Sequence, residues 1–124
     1  MNEKKFLIIG SLLGFFAVAF GAFGAHALKT KISPEMLVIF ETGARYQMFH
    51  ALALLFVFAA ASHISHPCLQ SAGWCFTLGT AIFSGSLYAL VFSGQKFWGA
   101  VTPLGGLLLL AGWTLLFLSG ISKK

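Results

Sequence analysis

Few residues in this chain could do chemistry, and most of them fall in the stretch Glu41-Thr42-Gly43-Ala44-Arg45-Tyr46-Gln47-Met48-Phe49-His50. If the stretch is helical, Glu41 and Arg45 lie four apart on one face with the acid before the base, the order that favours pairing. Tyr46 and His50 are also four apart, on another side of the same helix. The stretch runs directly into the apolar segment Ala51 to Ala61. Ionisable side chains entering such a segment are costly unless they are paired or turned to the protein interior, so they mark a candidate site. A carboxylate, a guanidinium and an imidazole could form a structural ion pair, a proton relay or a pH-sensitive switch. His26 near the end of an earlier apolar run, and Ser84 and Tyr88 in a later one, could join them across a helix bundle.

The elements that must position these groups are set by composition. Hydrophobic residues make up 58% of the 124-residue chain and charged residues 9%, whereas soluble proteins carry about 25% charged residues. Four apolar runs are long enough to cross the roughly 30 Å hydrocarbon layer: Phe6 to Leu28, Tyr46 to Ile64, Leu69 to Phe92 and Gly99 to Ile121. The expected fold is all-α, a polytopic membrane protein with a four-transmembrane-helix bundle forming one integral membrane domain over residues 1–124. The net charge of +5 would suit nucleic acid in a soluble protein, but Lys4, Lys5, Lys29, Lys31, Arg45, Lys96, Lys123 and Lys124 sit at segment ends. They read as anchors to lipid headgroups, with the bilayer and not nucleic acid as partner.

The first run resembles a secretory signal, with Lys4 and Lys5 before it and Ala25-His26-Ala27 as a small-x-small cleavage site. It is too long for a signal core of about 7 to 15 residues and reads as a permanent helix. Gly10, Gly14, Ala17, Gly21 and Ala25 recur along it as a seam of small residues, which in lipid lets a second helix backbone approach closely. That helix could belong to the same chain or to another copy, and a homo-oligomer is expected.

Ser33-Pro34-Glu35 has the form of a helix start, with a capping hydroxyl and proline at the first position. A helix from Pro34 to Ile64 would be about 46 Å long, more than the hydrocarbon layer needs. The expected solution is a short interfacial helix over Met36 to Thr42, between the first and second crossings, with a bend at Gly43; a single long, tilted helix is the plain alternative. Glu41 and Arg45 would then pair at the membrane boundary. His26 and His50 would lie at similar depth inside the bundle, bonded through Tyr46, Gln47, Ser84 or Tyr88.

His63, His66 and Cys68 cluster in the next connection, but the spacing lacks a closed four-ligand zinc pattern, and a solvated loop is the better reading. Cys68 and Cys75 lie about 10.5 Å apart along a helix, too far for a disulfide within it. No metal or cofactor is expected. Lysines and arginines are equal in number on the two sides of four crossings. If Glu41 takes up Arg45, the termini are cytoplasmic by a narrow margin.

Four motifs carry a family resemblance: Gly21-Ala22-Phe23-Gly24-Ala25-His26-Ala27-Leu28, Tyr46-Gln47-Met48-Phe49-His50-Ala51-Leu52-Ala53, Phe83-Ser84-Gly85-Ser86-Leu87-Tyr88 and Thr102-Pro103-Leu104-Gly105-Gly106. In this order the chain resembles the small bacterial inner-membrane proteins of domain of unknown function 423, to which the eukaryotic transmembrane protein 256 is similar. The resemblance covers almost the whole chain. It implies a four-helix membrane protein and supplies no reaction, substrate or cofactor.

The leading functional expectation is therefore a structural or partner-binding helix bundle, with another membrane protein or a second copy as partner. The alternative is proton-linked or small-solute transport through His26, Glu41, Arg45 and His50. An enzyme ranks last, because no catalytic residues emerge: the chain lacks a nucleophile with its base and a phosphate-binding loop.

Overall fold

Caps and prolines divide the chain into four long helices in the computed structural model, which describes residues 3–122. They are α1 (Lys4–Leu28), α2 (Pro34–Ala60), α3 (Pro67–Ser93) and α4 (Trp98–Ile121), each long and apolar enough to cross a membrane. Ser33 Oγ accepts the Met36 amide at 3.2 Å ahead of Pro34, which starts α2. His66 plays the same part for α3, its Nδ1 accepting the Cys68 amide at 3.1 Å beside Pro67. This histidine, expected in a solvated loop, is thus a helix cap. Gly94 ends α3 in the left-handed region at φ 72°, where a side chain would be strained, and its amide returns to the Leu90 carbonyl. Lys123 and Lys124, expected at the headgroups, lie outside the described residues.

The course of α2 corrects the expected interfacial helix. Met36 to Thr42 form no separate element: one helix runs unbroken from Pro34 through Gly43 to Ala60, short of Ile64. At 27 residues α2 is about 40 Å long, a length a membrane accommodates with tilt and short projecting ends. Its polar residues are tolerated because it packs against both α1 and α3 and buries Gln47 and His50 between its neighbours. Gly43 serves packing instead: a methyl there would lie 2.9 Å from the Tyr88 ring.

The helices pack in sequence, α1 on α2, α2 on α3 and α3 on α4. The small-residue seam of α1 meets α2 of its own chain: Gly10 lies under the Ala51 carbonyl and Leu54, Gly14 faces Ala51, and Gly21 faces Ala44. Gly10, Ala17 and Ala25 are buried, while Gly21 is exposed at the margin. Residues 19–24 of α1 are wound as a π-helix. In a regular α-helix position 25 would stand about 80° round from position 17. The wider π-turn helps return Ala25 to the face that Ala17 occupies.

Phe6, Leu54, Val57, Leu69 and Phe76 form the main core. Glycines set how near the helices come: the Phe6 ring fills the space over Gly73, and at Gly105 an added Cβ would overlap the backbone of Phe83. Such close approach matters in lipid, where packing must replace water exclusion as the driving force. Gly105→Ala is therefore expected to cost about 1–3 kcal/mol, as overpacking does. Gly85→Ala, which meets nothing within 4 Å, should be neutral or stabilising. Unfolding titrations in mixed micelles check the pair, and equal stability of the two variants would contradict the close contact.

Candidate functional site

In hydrocarbon a polar side chain must find its partners within the protein. Gln47 does so in two directions: its Nε2 donates to the Leu13 carbonyl of α1 at 2.8 Å, and its Oε1 accepts from the Tyr88 hydroxyl of α3 at 2.7 Å. One turn earlier on α2, the Gly43 carbonyl accepts from Ser84 Oγ at 2.7 Å. Gln47 and Ser84 are buried, at 4% and 2% exposure. Gln47, Ser84 and Tyr88 thus form one three-helix junction, whereas the sequence reading has them bridging His26 and His50. Thr80, buried one turn from Ser84, has no partner for its hydroxyl and adds no tie.

His50 makes the link to the fourth helix. Trp113 Nε1 donates to His50 Nε2 at 3.0 Å, and His50 Nδ1 lies 2.7 Å from the Tyr46 carbonyl. An indole N–H can only donate and a carbonyl can only accept, so the neutral imidazole with its proton on Nδ1 satisfies both contacts. Tyr46 contributes its carbonyl here, while its ring packs on Phe83 with centroids 4.9 Å apart.

His26 does not join this histidine, which corrects the expected pair. Gly24 of α1 lies beside Phe40, whereas His50 is level with the Gly10 to Gly14 turn that meets Ala51. The two imidazoles are separated by some fourteen residues of α1, about 20 Å along its axis, and His26 is exposed. The error has the same origin as the interfacial helix: starting the crossing at Tyr46 lifts His50 to the membrane edge. A relay through His26, Glu41, Arg45 and His50 has no continuity in this arrangement.

Glu41 and Arg45 face outward instead. They border a recess of about 440 Å³ whose other walls are Ala17, Val18, Gly21 and Ala22 of α1 with Ala44 and Met48 of α2. Glu41 is half-buried and Arg45 exposed, and no hydrogen bond or ion pair among the described residues joins them, so the expected bonded pair is not formed. Arg45 lies two residues, about 3 Å along the axis, from the middle of α2. The opposite wall is the π-turn of α1, a distortion often found at functional sites. A larger groove of about 850 Å³ opens between α2 and α4 along Tyr46, Phe49, Phe83 and Leu110. Its walls are apolar and its one imidazole has both nitrogens engaged, so the recess is the better candidate.

Two partners escaped sequence reasoning, Trp113 and the Leu13 carbonyl. Trp113 carried a usable signal: tryptophan favours the membrane interface, yet this one lies eight residues from the end of α4, deep enough that its N–H requires an internal acceptor. A helical carbonyl that accepts a second bond leaves no trace in sequence.

The junction makes a thermodynamic prediction. Gln47→Leu, which strands the Tyr88 hydroxyl, should destabilise more than Tyr88→Phe, with a coupling of about 0.6–1.7 kcal/mol, the range for hydrogen bonds in membranes. A double-mutant cycle by unfolding in mixed micelles measures it, and strictly additive variants would contradict the bond.

Comparison with known proteins places this arrangement. A family described as protein of unknown function (DUF423) matches residues 20–106. UPF0382 membrane protein SH2409 of Staphylococcus haemolyticus is 41% identical over 116 residues, 94% of each chain. UPF0382 membrane protein YwdK of Bacillus subtilis is 39% identical over 119 residues, 95% of this chain and 97% of its own. UPF0382 inner membrane protein YgdD of Escherichia coli K12 is 39% identical over 124 residues, 100% of this chain and 95% of its own. No solved structure matches. The matched region takes in all but the first residue of the π-turn, the whole of α2 and α3 and the proline-glycine start of α4, and the chain belongs to this DUF423 family of membrane proteins, for which no specific activity is established.

Proposed function

We propose that the chain is a non-enzymatic membrane module whose activity is to bind another membrane-embedded protein surface through the recess between α1 and α2. The carrying observation is that Glu41 and Arg45, ionisable groups within the Pro34–Ala60 span, face outward beside the α1 π-turn with no partner among the described residues. Charged groups at such depth are costly unless they are paired, face a bundle interior or reach water. The inward groups of the same helix are already bonded to α1, α3 and α4, which fits a scaffold that holds the recess in shape.

The relative in Escherichia coli is an inner membrane protein by name, and the same bacterial inner membrane is proposed here. The termini are placed on the cytoplasmic side. With Arg45 withdrawn into the crossing, Lys4, Lys5, Lys123 and Lys124 outnumber Lys29, Lys31 and Lys96, the asymmetry that orients membrane proteins.

Two measurements test the reading. Extracted from its membrane in polymer-bounded lipid discs without detergent, the chain should appear by native mass spectrometry in a discrete protein assembly heavier than its own 13.3 kDa. A single chain carrying only lipid would overturn the proposal. In liposomes with a pH dye inside, an imposed proton gradient should decay no faster than in empty liposomes. Flux abolished by His50→Ala would favour the transport alternative.

A further inference from the structure

We infer that the occupant of the recess is a second copy of this chain, set about a two-fold axis along the membrane normal so that Glu41 of each copy pairs with Arg45 of the other. The inference rests on the partner-binding reading and names the partner. Copies inserted in the same orientation present the same face at the same depth, and a two-fold interface joins one patch to itself. For most charged patches that geometry is repulsive. Here the patch carries one acid and one base a single helical turn apart, about 6 Å along the axis, an offset that the long Arg45 side chain spans to reach the other copy's acid. The surface permits the approach: the walls beside the charges are Ala17, Gly21, Ala22 and Ala44, side chains small enough for helices to come close.

The adjoining surface supports the same occupant. A second depression, lined in part by Gly14, Phe15, Phe23 and Met48, continues from the recess along α1 and shares Val18 and Met48 with it. Phe15 and Phe23 are exposed on this side, so the face offers both protruding rings and hollows to a copy of itself. Charge complementarity selects this occupant over the α2–α4 groove, whose walls are apolar and carry no signature of what covers them. An anionic lipid headgroup would engage Arg45 alone and leave Glu41 opposed by like charge.

The test uses the full chain, labelled with donor or acceptor dyes, reconstituted in lipid vesicles and diluted stepwise with lipid while energy transfer is read. Parent copies should associate. Glu41→Arg alone and Arg45→Glu alone should each weaken self-association at least tenfold, because each places like charges opposite one another. Mixing the Glu41→Arg chain with the Arg45→Glu chain should restore transfer between them to the parent level, and a chain carrying both exchanges should again associate with itself. Restoration shows that the single variants are folded, so their loss cannot be dismissed as misfolding. Single variants that associate like the parent, or a mixture that stays apart, would overturn the reciprocal pair. Parent chains that remain apart in vesicles, while native discs hold a different protein against the recess, would overturn the second copy and leave partner binding standing. Lipid alone in the discs would overturn both.

Discussion

A polar side chain inside a bilayer has no water to fall back on, and the structure depends on how α2 answers that constraint. Within two turns, from Gly43 to His50, the helix offers a carbonyl, a side-chain amide and an imidazole, and each is met by a different neighbour. Apolar packing alone discriminates weakly among helices in lipid, because the acyl chains are as apolar as leucine. Directed hydrogen bonds supply what the packing lacks. Gln47 fixes the register of α1 and α3 together, and His50 fixes α4 through Trp113. The glycines then make the bonds reachable, Gly43 by admitting the Tyr88 ring and Gly105 by letting α4 meet the Phe83 backbone.

The same helix is two-sided. Its inner side is saturated, so the imidazole and the amide are held as structural groups and not left free for chemistry. Its outer side carries Glu41 and Arg45 over a recess of small residues, against the one irregular turn of α1. The π-turn serves both sides, returning Ala25 to the α2 interface while displacing Gly21 and Ala22 to the recess. A scaffold with one charged, open face fits the proposed binding module. A conduit would need the polar groups to follow one another across the membrane, and here they sit in three separate places.

Much of the fold was legible because composition and run length are averaged over many residues. Three of the four crossings lie within two residues of their expected ends, and Ser33-Pro34 marked the start of α2 correctly. The difference at α2 comes from the length argument: a helix from Pro34 to Ile64 exceeds the hydrocarbon layer, so the excess is set at the interface with a bend at Gly43, and Glu41 and Arg45 follow it to the boundary. In the fold, enclosure by α1 and α3 permits the polar turn, and Gly43 is small for the sake of a tyrosine ring. Gln47, Ser84 and Tyr88 were legible as a cluster because their types demand partners. His26 is displaced by the same shift along α2, and the Trp113 N–H, far from the end of α4, demands an acceptor that its position in the sequence does not identify.

The depth of α2 is the central claim, and a nitroxide scan from residue 36 to residue 58 in lipid vesicles tests it most directly. Collisions with oxygen, which concentrates in the bilayer, and with a water-soluble nickel chelate report depth and exposure at each site. A single crossing predicts one unbroken helical oscillation, with depth rising from Met36 to a maximum near Gln47 and falling toward Phe58. Nickel access throughout Met36 to Thr42, at constant shallow depth and with a break in phase at Gly43, would return Glu41 and Arg45 to the membrane surface and contradict the proposed intramembrane site.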